Sequence, residues 1–182
     1  GVLEALADQT GETVTVSGWN GQEAVNVDQI LGSRSQSHFS PPGRVNPAHC
    51  TATGKVFLAW SDDEVIDQML GRTLDRYTAR TLVSARTLRK ELKNIRLSGY
   101  AVGNGEFLED VASIAAPVFD QNGTVSYAIA LTLPAFRFGS ARFKRLDRVE
   151  QLDACEAIGL LLPRRPARAA ELEAVPVHAA IA

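Results

Sequence analysis

Two segments that alternate apolar and polar residues, each folding back at an Asn-Gly pair, constrain the fold most strongly. The first alternates through ETVTVSG and EAVNVDQIL and turns at Asn20-Gly21. The second covers residues 111 to 120 and 124 to 133 and turns at Asn122-Gly123. Alternation with a period of two is typical of half-buried strands, and Asn-Gly accepts the positive φ angles of tight turns. The sequence therefore predicts two antiparallel hairpins.

The segments outside the hairpins have helical spacing instead. Short helices are predicted at residues 2 to 9 and within 48 to 60, and another begins near Ser61, where three acidic residues suit its positive end. Ser84 is a good N-cap for a further amphipathic helix, and Gly99 is a good stop. A closing helix is predicted over residues 143 to 162, with Cys155 on its inward face.

The composition favours one domain, over residues 1 to 162, followed by an Ala/Pro/Arg-rich tail over 163 to 182. The chain has 19 basic and 21 acidic side chains, so it offers no net positive field for nucleic acid. We find neither a membrane-length apolar run nor a signal peptide, and Cys50 and Cys155 lack a paired pattern. We expect a cytoplasmic protein without membrane contact or a disulfide.

The segment TATGK at residues 51 to 55 is similar to a phosphate loop only superficially. His49 stands where that loop needs glycine, and Val56 stands where it needs serine or threonine, so we reject an NTPase. If a helix begins here, the free N–H groups of its first turn could bind a carboxylate. The alternative is an ordinary helix end that is capped by Thr51 or by water.

The adjacent pair His49 and Cys50 suggests a catalytic dyad, yet neighbouring residues on a helix point about 100° apart. A metal site would need distant residues such as His38 and Glu106 to join His49, and a structural histidine is commoner. We therefore predict neither a catalytic residue nor a metal or other cofactor. An enzyme that uses Cys50 or His49, either hydrolase-like or metal-dependent, remains the alternative.

The last predicted strand has one face of small side chains, namely Ser126, Ala128, Ala130 and Thr132. Such a face either receives a closely packed helix or leaves space for a ligand. Both interpretations stay open on the sequence alone.

The ordered segments together resemble the effector-binding domain of IclR-type bacterial transcription regulators, over about residues 3 to 162. The resemblance rests on the order and spacing of TGETVTVS, PPGRVNPAHCTATGKVFLA, YTARTL, LKNIRLSGYAV, GNGEFLEDVASIAAPVFD and AIALTLP. It implies an α/β fold of the α+β kind: a GAF-like domain with a curved six-stranded antiparallel sheet flanked by helices. It also implies a sensor of small organic acids or aromatic catabolites that forms a homodimer or homotetramer. DNA is bound in such regulators by a winged helix-turn-helix, which we expect to be missing from this chain.

The resemblance also implies where an effector would bind. The segments that line the pocket in family members that bind small oxo-acids contain, on this chain, Ser35, His38, Asn46, Ala52, Thr53, Gly103, Val111, Ser113, Ala130 and Thr132.

Two of these positions bear on the identity of the effector. A sensor of small oxo-acids would have an acidic side chain in place of Gly103 and a hydroxyl in place of Ala130. We therefore expect a larger effector, preferably an aromatic acid, with His38, His49 or Asn46 as polar partners. The remaining alternative is an interaction module with a filled core, and a reachable cavity bounded by Asn46, Thr53, Ser113 and Thr132 would argue against it.

Overall fold

The six strands of the computed structural model form one antiparallel sheet, which confirms the predicted sheet. The structure describes residues 1–34, 40–120 and 122–138. The strands are β1 (Thr13–Trp19), β2 (Ala24–Ile30), β3 (Val45–Asn46), β4 (Ala101–Asn104), β5 (Val111–Phe119) and β6 (Val125–Pro134), in the spatial order β3-β2-β1-β6-β5-β4. The helices are α1 (Val2–Thr10), α2 (Ala52–Trp60), α3 (Asp63–Leu70), α4 (Ala85–Ser98) and α5 (Ala135–Phe138).

Both predicted hairpins are present, and their turns have the expected chemistry. Between β1 and β2, the Asn20 side chain accepts hydrogen bonds from the backbone N–H groups of Gln22 and Glu23, and Gly21 has a φ of 100°. Between β5 and β6, Asp120 accepts from two N–H groups in the same way, and Gly123 has a φ of 81°. These local bonds fix the register of each hairpin.

The sheet is covered differently on its two faces. On one face, Leu6 of α1 packs with Val14, Val118 and Leu131. On the other, which we call the α2 face, small residues from four strands join the buried side of α2 in the main core; they are Ala24, Ala101, Ala115, Ala128 and Ala130. The small side chains let the helix lie close to the strands, so the helix interpretation of the small face is right for Ala128 and Ala130.

Helix α2 is buried from Ala52 to Ala59 and approaches the chain before it very closely. A Cβ placed on Gly54 would lie only 2.4 Å from the Cα of Ala48. Close packing therefore requires glycine at this position of TATGK. The glycine does not indicate a phosphate loop.

Helices α1, α3 and α4 lie where the sequence predicted helices, whereas α5 was not predicted. Ser84 caps α4 by accepting the Thr87 N–H, and Gly99 ends it in the left-handed region with a φ of 86°. Helix α3 has Asp62 as its N-cap residue and begins at Asp63, slightly later than the predicted start near Ser61.

The predicted closing helix, the tail and Cys155 lie outside the described residues. Cys50 is a buried free thiol. Across the three described ranges, none of the helices has the length and apolar character needed to cross a membrane.

Candidate functional site

A cavity of about 180 Å³, partly open to solvent, lies on the α2 face of the sheet beside the start of α2. All six strands, the chain leading into α2 and the segment 106–108 contribute to its wall. Most of the lining side chains are polar: Thr15, Ser17, Asn26, Gln29, Ser40, Arg44, Asn46, Thr51, Thr53, Glu106, Ser113 and Thr132. The others are Cys50, Ala52, Gly103, Phe107, Leu108 and Val111.

A row of paired residues across three strands forms the floor of the cavity. Gly103 of β4 pairs with Ser113 of β5, and Ser113 pairs with Thr132 of β6. Paired residues lie on the same face of a sheet, so both hydroxyls project beside the bare Gly103. A Cβ at position 103 would lie 3.2 Å from the Ser113 Oγ and 3.3 Å from the Ala52 backbone N. Because Gly103 has no side chain, the start of α2 faces the cavity.

The first turn of α2 is capped only in part. The Thr51 hydroxyl accepts the Gly54 N–H at 3.2 Å and donates to the Pro47 carbonyl at 2.8 Å. The N–H groups of Ala52 and Thr53 precede the first intrahelical bond and have no acceptor within the helix. Thr51 therefore caps one N–H group, as the alternative interpretation expected, and the N–H groups of the first two residues are left beside the cavity.

The Thr53 hydroxyl is a further polar group at this end of the helix. Its side chain lines the cavity although the residue is only 7% exposed. The hydroxyl has no hydrogen-bond partner in the part of the chain that the structure describes. It can therefore donate to, or accept from, a bound molecule.

Below the cavity, a buried lysine is paired with Glu106. Lys55 is 1% exposed, and its Nζ donates to Oε1 of Glu106 and to the Val102 carbonyl, both at 2.7 Å. Glu91 lies 3.7 Å from the same nitrogen. Burial raises the pKa of the Glu106 carboxyl above its ordinary value, although the Lys55 charge opposes that shift. The paired charges compensate each other in the wall of the cavity.

Two threonines of the YTARTL segment hold the chain around Glu106 in place. The Thr78 hydroxyl donates to the Gly105 carbonyl at 2.6 Å, and the Thr81 hydroxyl donates to the Glu106 carbonyl at 2.7 Å. Tyr77 also packs edge-on against the ring of Phe107, with centroids 4.9 Å apart. These contacts keep the segment 106–108 against the cavity, which gives a physical reason for the threonine spacing.

The structure brings together most of the residues that the resemblance implied. Seven of them line the cavity: Asn46, Ala52, Thr53, Gly103, Val111, Ser113 and Thr132. Ala130 instead packs in the main core under α2. His49 is buried away from the lining, and its Nε2 is bonded to the Asp75 carbonyl at 2.9 Å. Ser35 and His38 lie outside the described residues.

Several lining residues were not among the predicted ones, and they come mainly from the first hairpin and the loop after it. Thr15 and Ser17 are on β1, Asn26 is on β2, and Arg44 precedes β3. The alternation of β1 does place its threonines and Ser17 on one face, and this signal could have identified them.

The surroundings of Cys50 disfavour the thiolate form that a catalytic nucleophile needs. Burial, and secondarily the nearby Glu106 carboxylate, raise the pKa of the thiol to about 12. A reactive thiolate needs a lowered pKa. The described ranges also hold no cluster of three or more His, Cys, Asp or Glu side chains that could bind a metal.

Comparison with known proteins agrees with this fold. Residues 1–158 match the family model of the bacterial transcriptional regulator IclR C-terminal domain. The regulator KdgR of Escherichia coli K12 is 34% identical over 143 residues, which are 78% of this chain and 54% of KdgR. The chain thus spans about half the length of this curated relative.

Solved structures give the same result. The IclR protein of Thermotoga maritima superposes with a TM-score of 0.79 at 29% identity, over 88% of this chain and 65% of that one. The inducer-binding domain of PobR from Acinetobacter, a double mutant in complex with 3-hydroxybenzoic acid, superposes with a TM-score of 0.77 at 26% identity, over 89% of this chain and 94% of that one. These family members are transcription regulators and not enzymes. The chain therefore belongs to the IclR family of bacterial transcriptional regulators, and its residues 1–158 match the family's C-terminal, effector-binding domain.

Proposed function

We propose that the cavity binds a small organic acid, preferably an aromatic one, as the effector of a cytoplasmic regulator. Binding would control an attached winged helix-turn-helix in a homodimer or homotetramer. The observation that carries this proposal is a cavity that combines free N–H groups at the start of α2 with hydroxyls and a short apolar wall.

The size of the cavity favours a single ring. An apolar cavity of about 150 Å³ is known to accommodate benzene. A volume of about 180 Å³ therefore suits one ring with small substituents. Phe107, Leu108 and Val111 offer apolar surface for such a ring, whereas a two-carbon acid would leave much of the space to water.

The start of α2 suits the carboxylate of the acid. The free N–H groups of Ala52 and Thr53 carry the positive end of the helix dipole, and the Thr53 hydroxyl adds a donor. The complex of the PobR domain with 3-hydroxybenzoic acid supports the aromatic class by similarity of fold.

An effector acts through unequal affinity for two arrangements of the regulator. Filling the cavity would favour the arrangement in which the α2 start, the sheet and the segment 106–108 close on the ligand. The DNA-binding domains would then be positioned differently in the two arrangements.

A hydroxylated aliphatic acid is a second candidate because the cavity is rich in hydroxyl and amide groups. Thr15, Ser113 and Thr132 have no side-chain hydrogen-bond partner within the described ranges. A polyhydroxy acid could satisfy several of them at once.

Titration calorimetry distinguishes these effector classes. The panel comprises 3-hydroxybenzoate, 4-hydroxybenzoate, protocatechuate, gluconate, pyruvate and glyoxylate. We expect at least one aromatic acid to bind about tenfold or more tightly than glyoxylate. Tight binding of glyoxylate with none of the aromatic acids would contradict the proposal, and binding of gluconate alone would favour the second candidate.

A matched pair of variants tests the position of the carboxylate. Thr53→Val removes the hydroxyl at the α2 start while keeping the shape of the side chain, and we expect the affinity for the bound acid to fall by about threefold to tenfold. Thr124→Val makes the same change in an exposed turn away from the cavity and should leave the affinity unchanged. Equal affinities of the two variants would place the carboxylate elsewhere.

A further inference from the structure

Arg44 is held beside the cavity by a tight turn that its own sequence dictates. The Arg44 N–H donates to the Pro41 carbonyl at 3.1 Å across the residues Pro42 and Gly43. Gly43 has a φ of 85°, which a type II turn requires at its third position, and proline is favoured at the second. The PPGR segment therefore folds into a defined turn that ends at Arg44.

The turn is also attached to the sheet. The Asn26 N–H donates to the Arg44 carbonyl at 2.9 Å, and the Gly43 N–H donates to the Asn26 carbonyl at 2.8 Å. The backbone of Arg44 is thus fixed to strand β2. A side chain that starts from a fixed backbone loses less freedom when it binds a ligand.

Within the described part of the chain, no acidic side chain pairs with the positive charge that Arg44 brings to the cavity. The Arg44 side chain lines the cavity and is partly buried, and within the described ranges its guanidinium has neither an ion pair nor a hydrogen bond. Glu106, the acidic residue of the lining, is already paired with Lys55 at 2.7 Å. Residues 35–39, just before this turn, contain no Asp or Glu.

We infer that Arg44 recognises the anionic group of the effector and restricts the cavity to ionised acids; this inference rests on the function proposed above. A guanidinium presents a planar pair of donors that matches a carboxylate, and such charge-assisted bonds are stronger than neutral ones. The start of α2 supplies only a partial charge. Arg44 supplies the full charge that distinguishes a carboxylate from its neutral amide, ester or lactone.

The experiment compares an acid with a neutral analogue of the same shape. Binding of 4-hydroxybenzoate and of 4-hydroxybenzamide is measured by calorimetry at about pH 7, where the acid is ionised. The proteins are the wild-type domain, Arg44→Gln, Arg44→Lys and the control Arg86→Gln, which neutralises an exposed arginine on α4. Thermal unfolding of each variant confirms that it is folded.

We expect the wild-type domain to prefer the acid to the amide. Arg44→Gln should weaken binding of the acid by about tenfold or more and binding of the amide by less than about twofold. Arg44→Lys keeps the charge and should recover part of the loss, whereas Arg86→Gln should match the wild-type domain for both compounds.

The outcomes separate this inference from the proposed function. If the acid binds equally well to the wild-type domain and to Arg44→Gln, the cavity binds acids without Arg44 and the inference is overturned alone. If Arg44→Gln weakens acid and amide by the same factor, Arg44 contributes packing and not charge recognition, and the inference again fails. If the wild-type domain binds neither this acid nor any other in the panel, the proposed function fails as well.

Discussion

At the scale of single residues, Lys55 has an unusual environment for a lysine because its side chain is buried. A lysine that is 1% exposed is tolerated because Glu106 and the Val102 carbonyl satisfy its ammonium group. The pair ties α2 to the segment 106–108, which forms part of the cavity wall. Stability and the shape of the site therefore depend on the same contact.

Replacing Lys55 with methionine should lower the free energy of unfolding by about 3 to 5 kcal/mol, because it leaves the Glu106 carboxylate buried without its cation. Lys93→Met removes an exposed lysine of α4 and should change the free energy of unfolding by less than about 0.5 kcal/mol. Denaturant unfolding of both variants gives the comparison. A loss below about 1 kcal/mol in Lys55→Met would show that the pair contributes little net stability.

The raised pKa of Glu106 also predicts a pH dependence of stability. Burial favours its protonated form, so the stabilising contribution is complete below the ordinary pKa of 4.5 and is lost as the pH rises through the raised value. The wild-type domain should therefore lose stability relative to Glu106→Gln as the pH increases above that point. Urea unfolding of both proteins between about pH 4 and 8 measures the difference. A difference that grows in favour of the wild-type domain would reverse the sign we expect.

The structure brings some of the residues that the sequence suggested for the site together at the cavity, and places others elsewhere. Thr53, Gly103 and Ser113 were assigned through the resemblance, and all three line the cavity. His49 was assigned as a polar partner, but its ring is bonded to the Asp75 carbonyl 26 residues away. Such a long-range contact has no local signal. The same limit applies to Lys55 and Glu106, which are 51 residues apart.

At the scale of the elements, the start of α2 determines both packing and site. Gly54 lets the helix approach Ala48, and this approach brings Ala52 and Thr53 to the cavity. The sequence predicted a helix in this region from apolar spacing, but spacing alone does not show that the backbones touch. The close approach became visible only in three dimensions.

The Gly54→Ala variant should be destabilised by about 3 kcal/mol or more, because the added methyl group would overlap the backbone of Ala48. Gly21→Ala is the control, since nothing lies within 4 Å of a Cβ at that position. The strain of an alanine at this positive φ should lower the free energy of unfolding by only about 1 to 2 kcal/mol. Thermal or denaturant unfolding measures both. A Gly54→Ala domain as stable as Gly21→Ala would mean that α2 can move away from Ala48 at little cost.

Both hairpins could be predicted because their information is local. Asn20 and Asp120 bond to N–H groups a few residues away, so each turn is encoded in a short segment. The pairing of β1 with β6 is not local, since it joins Thr13 to Thr132. This pairing was not predicted, and only the resemblance implied that the strands form one six-stranded sheet.

At the scale of the whole molecule, the cavity exists because distant segments meet on the α2 face. The central pairing of β1 with β6 joins the two hairpins. Helix α2 packs over the small residues of the sheet, whereas Ser113 and Thr132 border the cavity. The small face of β6 is thus divided: Ala128 and Ala130 lie under the helix, and Thr132 borders the cavity. The packed-helix interpretation therefore applies to one part of the strand, and the space beside Thr132 is where we propose that the effector binds.

Backbone amide chemical shifts of the domain test most directly whether an organic acid binds in this cavity. Titration with 4-hydroxybenzoate, followed by nitrogen–proton correlation spectra, should shift the amides of Ala52, Thr53, Gly103, Ser113 and Thr132 together, with one common dissociation constant. The amide chemical shifts of residues that pack on the opposite face, such as Leu6 and Val118, should not change. Shifts confined to that opposite face, or no shifts with any acid of the panel, would contradict the account.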